Sequence, residues 1–178
     1  MAPIIPVLML LLVITVGTGV IVFLTNTHRS QNRQFFFFCV TLCLWVIGVL
    51  GIIGSRTESD AAFMIRMASY FGTLVPLSFH LLCLSIEHPN LRMLALLRLA
   101  SPTVMSSQIV GVLCFARQFL HGVGITQQGA TGLAVPEASY GPLFVLYVMY
   151  FPLILAWILW RFARGMRNAK GMERAEYQ

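Results

Sequence analysis

The stretch from Met67 to Ile86 contains 20 consecutive residues without an acidic, lysine or arginine side chain. As an α-helix that rises ~1.5 Å per residue, it would be ~30 Å long, which is the thickness of the hydrocarbon core of a bilayer. Backbone N–H and C=O groups find no hydrogen-bond partner in lipid, whereas in a helix they bond to one another. The stretch therefore predicts a transmembrane helix.

Four other apolar stretches have comparable lengths, and most charged residues fall between them. Only 10% of the 178 residues are charged, whereas a soluble domain has about a quarter. The sequence predicts an all-α integral membrane helix bundle with about five transmembrane helices in residues 1–163, followed by a basic tail in residues 164–178. The predicted spans are residues 4–24, 35–53, 63–87, 99–116 and 142–161.

The Lys and Arg residues are divided unevenly between the two sides of the predicted bundle. The loops after the first and third helices and the tail hold nine of the 12, and the opposite side holds three. Cytoplasmic loops are enriched in basic residues, so we expect a multi-pass protein of the plasma (inner) membrane with an extracytoplasmic N-terminus and a cytoplasmic C-terminus. The long connection 117–141 would lie outside, with a hairpin closing at Gln128-Gly129.

One face of the third predicted helix is small and polar. At ~100° per residue its members fall within about 80° of one another; they are Ser69, Gly72, Pro76, His80, Cys83 and Glu87. In lipid, small and polar side chains face other helices. We predict that this face forms the inner wall of the bundle, with a bend where Pro76 leaves the carbonyl of Gly72 without its helical partner.

Three side chains are further candidates for contact with a ligand or signal. His80 is the only imidazole inside a predicted span, where ionisable groups are costly and either function or bond a neighbouring helix. Gln108 lies near the middle of the fourth span, and we expect it to approach His80. Trp45, in the second span, either packs in the bundle or contacts a ligand.

The residues indicate no catalytic, metal or cofactor site. All four cysteines lie in or at the ends of apolar segments, as small buried side chains do. Their spacing matches neither a zinc nor a haem motif. The sequence contains no phosphate-binding glycine loop and no hydrolase or metalloprotease motif, and no acidic pair lies inside a span. An ion-coupled transporter would normally carry several charged residues within its spans.

Four short motifs follow one another along the chain. They are Trp45-Val46-Ile47-Gly48, the run Tyr70 to Phe79, Tyr140-Gly141-Pro142-Leu143-Phe144, and Gly171 to Gln178. In this order they resemble the N-terminal seven-transmembrane sensor region of bacterial histidine kinases. The resemblance covers essentially the whole chain and adds Tyr140 to the candidate signal residues.

The resemblance also implies a truncation after the fifth helix. In that family the region continues through two more helices into a kinase or a cyclic-dinucleotide synthase. We therefore expect this sequence to lack the phosphoacceptor and ATP-binding regions, and we do not expect it to be an enzyme.

The leading hypothesis is a sensory input module of a two-component signal-transduction protein, without its output domain. The alternatives are a small transporter or channel subunit with a polar path at His80 and Gln108, and a structural partner that completes another chain's bundle. Expected partners are the lipid bilayer, a small-molecule or membrane-derived stimulus and a second copy in a homodimer. Basic residues that are scattered between apolar segments do not predict nucleic-acid binding.

Overall fold

The structure is a computed structural model that describes residues 4–127 and 134–168. These residues form six α-helices and one two-stranded sheet. In chain order the elements are α1 (Ile4–Thr25), α2 (Ser30–Gly54), α3 (Glu58–Glu87), α4 (Met93–Leu99), α5 (Ser101–Leu113), β1 (Leu120–Gln127), β2 (Ala134–Tyr140) and α6 (Leu143–Asn168).

The predicted all-α membrane bundle is confirmed. Among the described residues, α1, α2, α3 and α6 are long and apolar enough to cross a membrane. The fourth predicted span, 99–116, corresponds to α5, which has only 13 residues; α4 lies before it and meets it at 76°, and the two make a fifth span only if they are taken together. Pro102 has no N–H to donate to the carbonyl of Arg98, four residues earlier, so the helix breaks there.

Helix α3 is the centre of the bundle. Fourteen of its residues are buried, whereas α1 buries only Gly19. Helices α2, α5 and α6 and strand β1 all contact α3, while α1 packs mainly against α2. The predicted inner wall is confirmed, because Ser69, Gly72, Pro76, His80 and Cys83 are all buried.

Two glycines allow α2 to lie close to α3. A Cβ at Gly48 would come within 2.9 Å of the Cα of Ala68, and one at Gly51 would meet the sulfur of Met64 at 2.7 Å. Small residues at such positions let membrane helices gain dispersion energy over a long contact.

The predicted hairpin is present as two antiparallel strands, with Gly122 opposite Ser139 and Gln127 opposite Ala134. The predicted turn at Gln128-Gly129 lies outside the described residues. Because the strands join the end of α5 to the start of α6, they cover one end of the bundle, which we call the hairpin end.

Apolar side chains and one arginine attach the strands to α3. Phe119, Leu120 and Val123 pack against Ile65 and its neighbours. Arg66 donates hydrogen bonds to the carbonyls of Phe115 and Leu120, at 3.1 and 3.4 Å. A guanidinium in lipid needs such acceptors, so Arg66 fixes the hairpin to the first turns of α3.

The opposite end of the bundle, which we call the basic end, contains the α1–α2 and α3–α4 connections and the end of α6. Helix α6 continues to Asn168, so the first residues of the predicted tail are helical. Residues 169–178, which include the last of the four motifs, lie outside the described part of the chain.

Candidate functional site between helices α3 and α6

Helix α6 meets α3 along a single face. Its members recur at helical spacing, and they are Tyr147, Tyr150, Trp157 and Arg161. Tyr150 is buried, whereas most of the other α6 side chains are exposed and apolar, as expected for a helix that faces lipid. Polar and aromatic groups on this face therefore contact α3 at three levels.

The first level, nearest the hairpin end, is the groove contact between Gly72 and Tyr147. A Cβ at Gly72 would lie 2.5 Å from the hydroxyl oxygen of Tyr147 and 3.6 Å from Cδ1 of Trp45. Only glycine lets the tyrosine ring come this close to the helix backbone. The Tyr147 hydroxyl forms no hydrogen bond with any of the described residues.

A groove of about 290 Å³ opens beside this contact. Gly72 lies five residues inside the uncharged stretch Met67–Ile86, so the groove is within the membrane span and nearer the hairpin end. The groove is lined by Leu42, Trp45, Gly72, Val75, Tyr147, Val148 and Phe151. It is therefore an apolar, largely aromatic site that α2, α3 and α6 build together.

At the second level, one turn further along α6, this helix bonds to α3 just before its proline. Pro76 is buried and supplies no N–H to the carbonyl of Gly72. The Tyr150 hydroxyl lies 2.6 Å from Oγ of Ser107 and donates to the carbonyl of Thr73 at 3.4 Å. Tyr150 thus joins α3, α5 and α6 at one point.

The third level, toward the basic end, is the polar contact, formed by His80, Thr103, Arg161 and Glu87. Nδ1 of His80 lies 2.8 Å from Oγ1 of Thr103, and Nη1 of Arg161 lies 3.1 Å from Nε2 of His80. A guanidinium can only donate, so Nε2 accepts and the ring proton is on Nδ1, which donates to Thr103. In this arrangement His80 is neutral and both of its nitrogens are bonded.

Arg161 has two more partners in the same place. Its Nη2 lies 3.7 Å from a carboxylate oxygen of Glu87, and its guanidinium lies 6.0 Å from the centre of the Trp157 ring. The Trp157 ring also meets the His80 ring edge to face at 5.2 Å. Arg161, near the basic end of α6, is thus held by the His80 and Glu87 side chains of α3.

The structure brings some of the sequence-predicted residues together and separates others. Trp45 and Gly72 share the groove, and Pro76 and His80 follow on the same face of α3. The expected approach of Gln108 to His80 is not observed, because Gln108 is exposed and His80 bonds Thr103. The buried face of α5 contains Thr103 and the residues four and eight positions later, from which Gln108 is turned away by about 100°.

Tyr140 lies at the end of β2, at the hairpin end. Its ring stacks on Phe144 with 3.8 Å between centroids, and Phe144 lies 6.0 Å from Tyr147. Partial burial raises the pKa of the Tyr140 phenol, which therefore stays neutral at physiological pH. A row of aromatic rings thus connects the hairpin to the groove contact.

Sequence reasoning missed Thr103 and the whole α6 face of this site. The spacing of Tyr147 and Arg161 with the other residues of the α6 face was a usable signal, since it places them on one side of a helix. Thr103 gave no signal, because a threonine in a helix can bond its own backbone.

No group of three or more His, Cys, Asp or Glu side chains in residues 4–127 and 134–168 could hold a metal ion. The four cysteines are buried and unpaired. Within the described chain, the side chains between α3 and α6 therefore offer packing, hydrogen bonding and apolar contact as their chemistry.

These features define a membrane helix bundle whose central, proline-containing helix is bonded to the helix that leaves at the basic end. The family model for the N-terminal 7TM region of histidine kinase matches residues 7–178. The chain belongs to this family, which confirms the resemblance seen in its motifs. No curated protein matches the chain.

Proposed function

We propose that the chain is the sensory input module of a signal-transduction protein of the histidine kinase type. It receives a stimulus between the hairpin end and the groove, and it passes the signal to the cytoplasm through α6. Family membership supports the class. The observation that carries the specific role is the set of contacts between α3 and α6.

The groove contact and the polar contact differ in a way that would allow a relay. The groove contact has no hydrogen bond, so the Tyr147 ring can move away from Gly72 without breaking one, while Tyr150 stays bonded to Thr73. Nearer the basic end, the polar contact bonds α3 to α6 through His80 and Arg161. A change at the groove would therefore alter the bend near Pro76 and move the basic end of α6 with α3. Such a relay needs two packings that differ by a few kcal/mol.

The distribution of charge supports the proposed orientation. One end of the bundle contains most of the described arginines, which are Arg29, Arg33, Arg92, Arg98, Arg161, Arg164 and Arg167. We therefore place the basic end in the cytoplasm and the hairpin outside, in the plasma membrane. The lipid bilayer is then the partner of the exposed apolar side chains of α1 and α6.

Cysteine labelling in intact cells tests this orientation. Glu58→Cys and Glu137→Cys should react with a membrane-impermeant maleimide, and Arg167→Cys should react only after lysis. The unsubstituted protein is the control, since its four cysteines are buried. Labelling of Arg167→Cys before lysis, with both glutamate positions protected, would invert the orientation and remove the proposed route to the cytoplasm.

The function is tested by joining the chain to the phosphotransfer and ATP-binding modules of a histidine kinase and measuring autophosphorylation in membrane vesicles. Catalysis belongs to those added modules, and we do not assign phosphate transfer to the chain itself. Arg161→Gln removes the charge that bonds α6 to α3, so it should change the basal rate severalfold.

Arg164→Gln is the matched control, because Arg164 lies over the Trp160 ring of its own helix, at 5.6 Å from the ring centre. It should leave the rate close to that of the unsubstituted chimera. Equal effects of the two substitutions would contradict a relay through the polar contact. Ion flux through liposomes that requires His80 would favour a transporter, although the structure forms no polar path from His80 to Gln108.

A further inference from the structure

We propose that the groove binds a neutral, flat lipophile that has a carbonyl oxygen, and that this oxygen accepts a hydrogen bond from Tyr147. The inference rests on the proposed sensory function, because it identifies the chemical class of the stimulus. The groove lies beside the groove contact, so an occupant would change the distance between α3 and α6.

The side chains that line the groove indicate which ligand skeleton would fit it. The rings of Trp45, Tyr147 and Phe151 contribute three of the seven lining side chains. Aromatic rings favour other flat rings, which they meet by stacking or edge to face. The volume of about 290 Å³ is at the lower end of the range for small-molecule sites, about 300 to 1,000 Å³.

The hydroxyl of Tyr147 defines the polar atom of the ligand. It has no partner among the described residues, whereas the hydroxyl of Tyr150, one turn away, has two. An unpaired hydroxyl in an apolar medium costs on the order of 1–3 kcal/mol. A phenol can donate to a neutral carbonyl oxygen, so a ligand with that group recovers this free energy.

Depth and charge exclude the ordinary lipids of the bilayer. Gly72 lies five residues, or ~8 Å, inside the uncharged stretch Met67–Ile86, so the groove lies within the ~30 Å hydrocarbon core. A phospholipid headgroup does not reach this depth, and an acyl chain there has no acceptor for Tyr147. None of the lining residues is charged, so an ionised ligand would be strongly disfavoured.

Binding can be measured on the full chain in nanodiscs, with fluorine-labelled tryptophan. The chain has three tryptophans, and Trp45→Phe assigns the resonance that reports on the groove. The probes are acetylnaphthalene and isopropenylnaphthalene, which have nearly the same flat shape but differ in the carbonyl oxygen. Acetylnaphthalene should shift the Trp45 resonance saturably and bind more tightly than its partner.

Tyr147→Phe should weaken binding of acetylnaphthalene about fivefold, since one hydrogen bond contributes on the order of 1 kcal/mol. It should leave isopropenylnaphthalene unaffected. Tyr70→Phe is the control, because Tyr70 lies on α3 but does not line the groove.

Three results would overturn the assignment: no saturable shift, the same loss for both probes in Tyr147→Phe, or equal displacement of the ketone by oleate. Each of these would leave the proposed relay standing, because the Arg161→Gln chimera tests the relay without any ligand.

Discussion

The groove contact and the polar contact join the same two helices, yet they are built in opposite ways. At the groove contact, Tyr147 lies against the bare backbone of Gly72 and forms no hydrogen bond. At the polar contact, the imidazole of His80 is bonded on both nitrogens and Arg161 also reaches Glu87. One contact depends on shape alone, and the other depends on paired polar groups.

The difference shows which contact can respond to a signal. In lipid there is no hydrophobic force between helices, so a contact made by shape is worth only its van der Waals packing. Such a contact can open if something else fills the space. A paired polar group cannot be separated without exposing it to hydrocarbon. We therefore assign reception to the groove contact and transmission to the polar contact, and four predictions test this division.

The largest effect is expected from Gly72→Leu. Its side chain would collide with the Tyr147 hydroxyl, and overpacking of this kind costs about 1–3 kcal/mol. The free energy of unfolding, measured by steric trapping in bicelles, should fall by that amount. Gly17→Leu is the control, because a Cβ at Gly17 meets nothing within 4 Å. Equal losses at the two glycines would show that Tyr147 is not held against α3.

A smaller effect is expected at the polar contact. His80→Leu and Arg161→Gln should each lower the free energy of unfolding by about 1–1.5 kcal/mol, since each removes two interhelical contacts of about 0.6 kcal/mol and leaves partners unpaired. In the double variant the losses should fall short of their sum by about 0.5–1 kcal/mol, because the two residues share an interaction. Strict additivity, measured in the same bicelles, would mean that the imidazole and the guanidinium do not support each other.

Much of this fold could be predicted from the sequence, because length and hydropathy report on crossing a membrane. The apolar face and the polar face of α3 differ enough to predict which one is buried. Within the predicted fourth span, α5 begins two residues after the expected start at 99 and has Pro102 in its first turn. The short helix α4 before it and the 76° angle between them were not predicted, and the break follows from the missing N–H of Pro102.

The site could be predicted only in part. The depth of Gln108 in the membrane follows from counting residues, but its direction depends on which face of α5 is buried. That face is set by tertiary contacts, such as the one between Thr103 and His80. In the sequence, Arg161 was one of the basic residues that indicate the orientation of the bundle in the membrane. Nothing in the neighbouring sequence marked it as the partner of an imidazole 81 positions away.

A matched pair of tyrosines gives the third test. Tyr150→Phe loses hydrogen bonds to Ser107 and Thr73, and interhelical hydrogen bonds in membranes average about 0.6 kcal/mol. Tyr147→Phe removes a hydroxyl that has no partner within the described protein, so its unfolding free energy should not fall and should rise by about 1 kcal/mol. An equal loss in both variants would mean that the Tyr147 hydroxyl is already bonded, which would remove the distinction between the two contacts.

The smallest change in stability is expected from Pro76→Ala, because Pro76 already lies, buried, inside the continuous helix α3. Alanine restores an N–H that can bond the carbonyl of Gly72, so α3 should become stiffer between the two contacts. Hydrogen exchange of the amides after residue 76 should slow, and a chimera with a kinase should respond less to any stimulus. Pro152→Ala is the control, since Pro152 lies inside α6 and is exposed; it should slow exchange in α6 alone. If exchange in α3 stays unchanged in Pro76→Ala while signalling is lost, the proline acts by packing, and the groove contact and the polar contact are not coupled through a bend.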